Sequence, residues 1–426
     1  MKKIRVITLG CSKNTVDTEH LCALLNPSEF SLIKDPVERV DVLLINTCGF
    51  IGDAKEESIQ AILEAVSLKE KGLASAVAVF GCLSQRYGEE LKKEIPEVDA
   101  WFGARDLAPV ANWLGAGTPS GHSRVLCDPS LPYAFLKISE GCDRRCSYCA
   151  IPHIRGPHRS VPMETLEAEA RELALRGVKE LVVIAQDSTY YGLDLYRKRA
   201  LAELLERLSE VPGIERLRIH YSYPDDFPLD VLSVMRENPK VCRYLDIPLQ
   251  HISDFVLRNM HRNVTSEWTR ELVSRMRSEV PGVALRTTMI VGHPGETEKE
   301  FTELLDFVRE SSFERLGAFK YSEEDGTWGA LHLEDSVPEE EKQRRYDALM
   351  SLQADISLGY NRKRIGSTVD VLADSWTDGV LVCRSEFESP EVDGEILVKG
   401  DRELVGSFFP VRITAADEYD LIGEKV

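Results

Sequence analysis

The chain has 426 residues, and 43% of them are hydrophobic, which is enough for two or three domains with large cores. Its charged residues make up 29% and have mixed signs, and its longest apolar runs are strand-sized. This composition excludes a disordered chain and argues against a membrane-spanning one. The net charge of -19 argues against a protein that mainly coats nucleic acid, and it suits a basic partner.

The amino terminus, MKKIRVITLGCS, has a positive start and an LGC that resembles a lipoprotein cleavage site. The apolar stretch between them is short and contains Arg5, whereas a secretory segment needs about 7–15 apolar residues. We therefore interpret this stretch as a first β-strand and expect a cytoplasmic protein with no membrane partner. In that compartment, ten cysteines are more typical of metal binding than of disulfides.

Residues 1–120 alternate between apolar strands and helical segments. Continuous apolar strands separated by helices predict a parallel sheet covered on both faces, so we expect an N-terminal parallel α/β domain here. A linker rich in glycine, serine and proline follows at 115–123. The predicted strands are IRVITL, DVLLIN and AVAVF, and the predicted helices are NTVDTEHLCALL, ESIQAILEAVSLKEKG and SQRYGEELKKEI.

One cysteine follows each of these strands directly: Cys11 in ITLGCS, Cys48 in INTCGF and Cys82 in VFGCLS. The carboxyl ends of parallel strands share one edge, where α/β sheets bind ligands, and a glycine beside each cysteine lets the backbone approach closely. Core packing explains one such cysteine easily but would have to occur three times. The pattern favours a metal site with three thiolate ligands and an open position.

A second series of alternating elements begins near Tyr133, and we expect residues 130–360 to form one domain. Six strand–helix units over roughly 200 residues are typical of a complete or partial βα barrel. A long charged helix, 338–364, leads out of it. The six predicted strands are AFLKIS, ELVVIA, RLRIH, YLDIPL, ALRTTMIV and RLGAFKYS.

Residues 361–426 change character and read as short strands joined by tight turns at TDG and VDG. Such a pattern predicts a small all-β module, in the form of a barrel. The predicted strands are TVDVLAD, GVLVCRS, GEILVKG and FFPVRITAA.

Three more cysteines, Cys142, Cys146 and Cys149, lie within the stretch GCDRRCSYCAIP, just after the first barrel strand. The carboxyl ends of barrel strands carry the chemistry in βα barrels. A zinc site closed by His153 or His158 is one interpretation, although the setting is not that of a zinc ribbon. The other is an iron–sulfur cubane, which three thiolates would hold with one iron open for a substrate or cofactor.

This stretch resembles the signature of the radical S-adenosylmethionine (SAM) enzymes, Cys-x3-Cys-x-aromatic-Cys, which opens a partial βα barrel. The resemblance implies that the open iron chelates SAM and that an electron from the cluster generates a 5′-deoxyadenosyl radical, which abstracts a hydrogen atom. Tyr148 stands at the aromatic position, near the adenine of SAM in that family.

Two three-cysteine sets and the order of the domains make nearly the whole chain similar to the methylthiotransferases. That family has an N-terminal domain with a second 4Fe–4S cluster, a partial (βα)6 radical SAM barrel and a C-terminal β-barrel called TRAM. The resemblance implies two uses of SAM, one as methyl donor to sulfur at the N-terminal cluster and one as radical source. The remaining cysteines are interpreted as packing residues, namely Cys22, Cys127, Cys242 and Cys383.

Several polar residues and glycines at the ends of barrel strands are candidates for contacts with SAM, each with a satisfied hydrogen bond at the barrel mouth as the alternative. The basic stretch RGPHRS, 155–160, is either a solvated loop or a group that neutralises a carboxylate of cofactor or substrate. The candidates are Gln186, His220, Gln250, His251, Arg286, Gly292 and Gly295.

Two branches of the family differ in substrate. One methylthiolates an adenosine beside the tRNA anticodon, and the other modifies the β-carbon of an aspartate in a small-subunit ribosomal protein, the twelfth in bacterial naming. The segments GCDRRCSYCAIPHIRG, ESPEVDGEILV and ADEYDLIGE resemble the second branch. Residues 361–426 also carry 8 basic and 14 acidic residues, which would repel RNA and attract a basic protein.

The expected partners are therefore the ribosomal protein, an external electron donor and a sulfur source, acting on a monomeric enzyme. A non-enzyme alternative is an electron carrier or sensor with two iron–sulfur clusters. It would need neither so large a barrel nor an aromatic residue at position 148, and it would not consume SAM.

Overall fold

The computed structural model describes residues 1–117 and 119–426, which divide into two units. Position 118 of the predicted linker lies outside the described residues. Within those residues, none of the helices combines the length and apolar composition that a membrane crossing requires. The first unit is Met1–Pro129, Glu140–Arg144 and Ala150–Arg159, and the second is Ser130–Ser139, Arg145–Cys149 and Ser160–Val426.

The first unit contains one parallel sheet and its helices. Its elements are β1 (Lys2–Thr8), α1 (Ser12–Ala23), β2 (Phe30–Leu32), β3 (Val40–Thr47), α2 (Gly52–Glu70), β4 (Ala74–Gly81), α3 (Cys82–Glu94), β5 (Ala100–Trp101), α4 (Ala108–Leu114) and, from the later segment, α5 (Ile151–Arg155). The sheet order is β2-β1-β3-β4-β5, with every pairing parallel. The predicted parallel α/β domain is confirmed, with the two short strands β2 and β5 added at the edges.

Both faces of this sheet are covered, which explains why its central strands are apolar at successive positions. Leu43 and Ile45 of β3 pack with Ile62 of α2 on one face. Val42 and Leu44 pack with helices α1 and α4 on the other. An alternating pattern would leave one of these faces polar.

The second unit contains a βα barrel segment followed by a small β-barrel. Its first elements are β6 (Tyr133–Lys137), α6 (Met163–Leu175), β9 (Glu180–Ile184), α7 (Leu201–Ser209), β10 (Arg216–Ile219), α8 (Asp230–Glu237), β11 (Val241–Asp246), α9 (Asp254–Asn259), α10 (Ser266–Glu279), β12 (Ala284–Val291), α11 (Glu298–Ser311), β13 (Arg315–Lys320), α12 (Trp328–His332) and α13 (Glu339–Lys363). Two short strands at the borders of the units are β7 (Ser139–Glu140) and β8 (Arg159–Ser160). The β-barrel has β14 (Thr368–Thr377), β15 (Val380–Arg384), β16 (Ile396–Lys399), β17 (Phe408–Ala416) and β18 (Leu421–Lys425).

Six parallel strands form an open sheet in the order β13-β12-β11-β10-β9-β6, which confirms the partial barrel. Local sequence determines several helix starts. Helix α11 begins with a capping box, in which Thr297 and Glu300 satisfy each other's free backbone donors. The long charged helix α13 also falls where the sequence predicts it.

The C-terminal barrel is closed by five strands, in the order β14-β15-β16-β18-β17. The sequence predicts four of them and misses β18, which pairs with β17 in antiparallel and with β16 in parallel. The tight turn at TDG is confirmed, because Asp378 and Gly379 both have positive φ between β14 and β15.

The tight turn predicted at VDG does not join the strands by itself: the chain turns at residues 390–392, inside a longer connection. Strands β15 and β16 do pair in antiparallel, but a long loop of residues 385–395 connects them. This loop reaches the barrel strands: Arg218 donates to the carbonyl of Glu386 at 2.8 Å, and Tyr244 donates to Asp393 at 2.7 Å. We call it the plug loop. Its polar residues make these long-range hydrogen bonds. The same residue types are typical of tight turns, so the sequence alone predicts a turn here.

A buried carboxylate ties the partial barrel to the β-barrel. Glu180 at the start of β9 is fully buried and accepts from Arg218 at 2.8 Å and from Arg384 at 3.1 Å. Arg216 lies 3.6 Å from the same carboxylate. These buried arginines need the negative charge of Glu180, because an unpaired charge in a buried site is strongly unfavourable.

Replacing Glu180 by Gln should therefore destabilise the second unit strongly. The change keeps the shape of the side chain and leaves buried arginines without a counter-charge, at a cost of about 3–5 kcal/mol. Urea unfolding followed by tryptophan fluorescence measures it. The control is Glu203→Gln in an exposed pair with Lys198, which should change the free energy of unfolding far less. Equal effects of the two variants would contradict the role of Glu180.

A second buried carboxylate, Glu388 of the plug loop, predicts a pH dependence. Burial alone would raise its pKa, but Arg364 and Arg315 outweigh burial and lower the pKa from 4.5 to about 2. A lowered pKa stabilises the fold fully above pH 4.5, and the stabilisation is lost as the pH falls toward 2. The shift corresponds to about 3 kcal/mol.

The stability difference between the wild type and Glu388→Gln should thus be constant above about pH 5 and shrink between pH 4.5 and 2.5, because protonation neutralises the wild-type carboxyl there. Unfolding free energies of both proteins, without added iron, over this pH series provide the measurement. A difference that stays unchanged down to pH 2.5 would show that Glu388 is not held ionised.

Candidate functional site

Cys11, Cys48 and Cys82 lie at the carboxyl ends of three neighbouring strands, β1, β3 and β4. Cys11 immediately precedes α1, and Cys82 is the first residue of α3. The parallel register brings the three strand ends level. The structure thus places these predicted ligands at one sheet edge, as the strand pattern requires; their binding of iron stays a prediction.

The glycine beside each cysteine is needed for close backbone packing. A Cβ at Gly10 would lie 2.7 Å from Cys48 Cβ, and one at Gly49 would lie 2.7 Å from the backbone of Leu83. Gly81 has a φ of +105°, and a Cβ there would lie 2.6 Å from a β3 carbonyl oxygen. Any side chain at these positions would push the cysteine loops apart.

Burial shapes the titration of the two buried thiols at this edge, Cys48 and Cys82. Burial raises the pKa of Cys48, and it raises that of Cys82 to about 11. For Cys82, the positive charge of Arg155 lowers the pKa, whereas Cys11 and Cys48 raise it further. Because a thiol must lose its proton to bind iron, cluster binding at this edge would release protons.

Three thiolates are a donor set that suits an iron–sulfur cluster. Among residues 1–117 and 119–426, no three His, Cys, Asp or Glu side chains converge as the ligands of one metal ion do. In a cubane, each thiolate binds a different iron. Three thiolates on a glycine-lined edge would suit such a group and leave its fourth iron open.

Two polar side chains lie at this edge: Asn14, which the sequence pattern did not single out, and Arg155 of the basic stretch RGPHRS. Asn14 donates to the carbonyl of Leu9 at 2.7 Å and to that of Thr47 at 3.2 Å, and its Oδ1 lies 3.7 Å from Cys82 Sγ. Arg155 donates to Asn14 Oδ1 at 2.6 Å. Arg155 is buried, so the interpretation of RGPHRS as a solvated loop is wrong for this residue. The contacts of these two residues with each other and with Cys82 carry no local signal, because the partners are distant in sequence.

The signature cysteines lie on both sides of a unit border, at residue 145. In the first unit, the backbone N–H of Cys142 donates to the carbonyl of Gly156 at 3.1 Å. Gly141 has a φ of +74°, and a Cβ there would clash with the carbonyl oxygen of Pro157. In the second unit, the N–H of Cys149 donates to the carbonyl of Cys146 at 3.1 Å.

Tyr148 stands in a polar group within the second unit. Arg262 donates to the hydroxyl of Tyr148 at 3.2 Å, and its guanidinium lies 4.3 Å from the ring centre of Tyr223. The hydroxyl of Tyr223 lies 3.6 Å from Cys146 Sγ. Burial, then the charge of Cys146, raises the pKa of Tyr148. Arg262 and Tyr223 were also missed, since nothing adjacent in the sequence marks them.

Gln250 is a candidate with strained geometry. Its φ is +71°, in the left-handed region that side-chain-bearing residues rarely adopt. Its Oε1 is buried and has no hydrogen-bond partner among the residues that the structure describes. Unpaired buried acceptors are rare and such strain clusters at functional sites, so both features fit a ligand contact.

The other barrel candidates have protein partners. His220 Nε2 lies 2.6 Å from Ser389 Oγ of the plug loop, and Arg286 donates to Asp246 at 2.9 Å. A Cβ at Gly292 would clash with the side chain of Lys342 in α13, so this close approach is made within the protein. The contacts of His220 and Arg286 match the satisfied hydrogen bonds that were the alternative to SAM binding.

Three candidates sit in loops near the same strand ends. Gln186 lies two residues after β9, and His251 accepts from the backbone N–H of Ser253 at 3.0 Å. A Cβ at Gly295 would lie 2.9 Å from Phe255. Contact of all these barrel residues with SAM stays a prediction.

Of the four cysteines interpreted as packing residues, Cys22, Cys242 and Cys383 are buried. Cys127 is exposed, so that interpretation is wrong for it. Its position follows from the surface course of the chain after α4, which the sequence pattern does not reveal.

The fold resembles that of known radical SAM enzymes. The radical S-adenosylmethionine methyltransferase TsrM from Kitasatospora setae, solved with cobalamin and a [4Fe-4S] cluster, aligns with a TM-score of 0.56 at 12% identity, covering 89% of this chain and 80% of that one. The cobalamin-dependent S-adenosylmethionine radical enzyme OxsB aligns with a TM-score of 0.54 at 14% identity, covering 84% of this chain and 56% of that one. At these identities, the similarity is one of fold.

Three family models match consecutive parts of the chain. Residues 3–103 match the uncharacterized protein family UPF0004, residues 136–308 match the radical SAM superfamily, and residues 365–426 match the TRAM domain. The first match includes all three sheet-edge cysteines, and the second includes the signature cysteines.

Relatives share this whole arrangement. The ribosomal protein uS12 methylthiotransferase RimO of Porphyromonas gingivalis is 51% identical over 100% of this chain and 99% of its own. The proteins of the same name from Bacteroides fragilis and Flavobacterium psychrophilum are 49% and 50% identical, over 100% and 99% of this chain and 99% and 98% of theirs. With half of its residues identical from end to end, and with the radical SAM match between the other two, the chain belongs to the RimO family of radical SAM methylthiotransferases.

Proposed function

We propose that this protein adds a methylthio group to the β-carbon of an aspartate in ribosomal protein uS12. The observation that carries the proposal is the full-length similarity to relatives with that name, which covers 100% of this chain and 99% of the relative. A chain that kept only the barrel chemistry would not need to match over the N-terminal domain and the β-barrel as well.

Each part of the chain has a role in this proposal. Residues 1–120 form the domain that holds the auxiliary cluster at Cys11, Cys48 and Cys82. Residues 130–360 form the radical SAM barrel, whose cluster is held by the three signature cysteines. Residues 361–426 form the TRAM-like barrel, which recognises the substrate. The reaction takes place in the cytoplasm on a monomeric enzyme supplied by an external electron donor and a sulfur source.

Acid–base chemistry alone does not serve this reaction, because no side chain can remove the proton of an unactivated C–H bond. Two 4Fe–4S clusters and SAM supply radical generation and methyl transfer to sulfur when bound. The protein's own residues hold and orient these groups. Tyr148, fixed by Arg262, would border the adenine, and the open acceptor of Gln250 would bind a donor of SAM.

The charge of the TRAM-like barrel supports a basic protein as substrate. Several of its acidic residues, including Glu388 and Asp374, form internal ion pairs. Even so, among residues 361–426 the exposed side chains include ten acidic and six basic ones. Such a surface repels the phosphates of RNA, which makes the tRNA branch the second candidate.

The proposal is tested by incubating the reduced enzyme anaerobically with SAM and a sulfide source, and with either uS12 or tRNA. We expect the aspartate-containing peptide of uS12 to gain about 46 Da, the mass of SCH2, as read by mass spectrometry. Replacing that aspartate by Asn in uS12 is the matched control and should remove the gain. A methylthio group on tRNA adenosine with unmodified uS12 would instead assign the protein to the other branch.

The two cysteine sets should separate into two activities. Cys146→Ala removes a ligand of the radical SAM cluster and should abolish 5′-deoxyadenosine formation, at least about 100-fold. Cys82→Ala should leave SAM cleavage measurable and abolish the methylthio product. Chromatography of 5′-deoxyadenosine and mass spectrometry of uS12 give the two readouts.

Cys22→Ala, at a buried cysteine outside both sets, is the control for loss of a thiol and should retain both activities. If Cys146→Ala still forms 5′-deoxyadenosine, the radical SAM assignment of this loop fails. If the wild type and both variants all fail to cleave SAM, the electron-carrier alternative gains support.

A further inference from the structure

Arg155 makes an unusual set of bonds at the sheet edge of the first unit. Its guanidinium donates to Asp17 at 2.5 Å, to Asn14 Oδ1 at 2.6 Å and to the sulfur of Cys82 at 3.2 Å. Glu140 lies 3.4 Å away. The side chain of Arg155 is 2% exposed, so all these bonds form in a region without bulk water.

The ion pair with Asp17 neutralises Arg155, and the remaining N–H groups of this buried guanidinium still need acceptors. The guanidinium spends one of its fixed donors on a thiol, which is a weak acceptor when protonated. Donors of this kind are matched by a thiolate, which accepts charge-assisted bonds. The geometry therefore fits Cys82 in its metal-bound, negatively charged form.

Arg155 belongs to the segment that directly follows the signature cysteines. It lies six residues after Cys149 and ends helix α5; Ile154 of this helix and Ala150, which immediately precedes it, pack with Cys82. The segment that follows the radical SAM signature thus supplies the donor to a cysteine of the other set. Arg105 holds this segment in place by donating to the carbonyls of Ile154 at 2.9 Å and His153 at 2.6 Å.

We propose that Arg155 is a positioning residue that sets the reduction potential of the auxiliary cluster through its hydrogen bond to Cys82. This inference rests on the proposed cluster at Cys11, Cys48 and Cys82. A positive donor to a ligand sulfur stabilises the reduced cluster, which carries one more negative charge, more than the oxidised one. Arg155 therefore raises the potential of this cluster.

The test uses the full-length chain with Cys142, Cys146 and Cys149 all replaced by Ala, so that the auxiliary cluster is observed by itself. Iron analysis of this parent comes first: absence of a cluster there would overturn the proposed auxiliary site and the present inference together. With a cluster present, a redox titration followed by electron paramagnetic resonance measures the midpoint potential, which depends on Arg155 and not on turnover.

We expect Arg155→Met to lower the equilibrium constant for one-electron reduction about tenfold or more, which is about 59 mV. Arg155→Lys keeps the charge and should restore part of the loss. Asp17→Asn breaks the ion pair but leaves the bond to sulfur, so its potential should equal or exceed that of the parent. Arg105→Met perturbs the same segment without removing the donor and should keep the parental potential.

An unchanged potential in Arg155→Met with full iron content would overturn the inference, as would an equal lowering in Asp17→Asn. If Arg155→Met binds no cluster, the iron content of Arg105→Met distinguishes the two explanations. Loss of the cluster from Arg155→Met alone supports the role at Cys82, whereas equal loss from both variants shows that Arg155 only holds the segment.

Discussion

Three thiolates can hold one cluster only if the backbone delivers them to one place, and level strand ends in a parallel sheet do so. In the first unit, β1, β3 and β4 are neighbours; Cys48 and Cys82 directly follow β3 and β4, and Cys11 comes three residues after β1. Glycines at positions 10, 49 and 81 remove the side chains that would keep these ends apart. The buried network of Asn14 and Arg155 then fixes the loops behind the sulfurs, so position and electrostatics are set by the same fold.

The partial barrel depends on a different constraint, the pairing of buried arginines. Several of its strands present arginines that need carboxylates, and the β-barrel and plug loop help to supply them. Glu180 binds Arg384 of β15, and Glu388 of the plug loop binds Arg315 of β13. The acidic character of the last 66 residues therefore has two sources: internal pairing with the barrel and an outward surface that suits a basic substrate.

The sequence was sufficient where structure is local and periodic. Apolar strands, amphipathic helices and cysteines placed directly after strands predicted both sheets and one shared cysteine edge. It failed where contacts join distant residues. The VDG stretch has the composition of a turn, yet Asp393 binds Tyr244, 149 positions away. Arg155 and Asn14 are separated by 141 positions, so no spacing rule brings them together. Strand β18 is short and follows an acidic loop, so its sequence does not mark it as a strand. Its pairing with β16 and β17 closes the barrel.

Quantifying iron and sulfide in anaerobically reconstituted protein tests most directly whether two three-cysteine sets each hold a cluster. The wild type should contain about eight irons per chain, and about four should remain when either set, Cys11, Cys48 and Cys82 or Cys142, Cys146 and Cys149, is replaced by Ala. A wild type with about four irons, all retained after loss of Cys11, Cys48 and Cys82, would contradict the second centre.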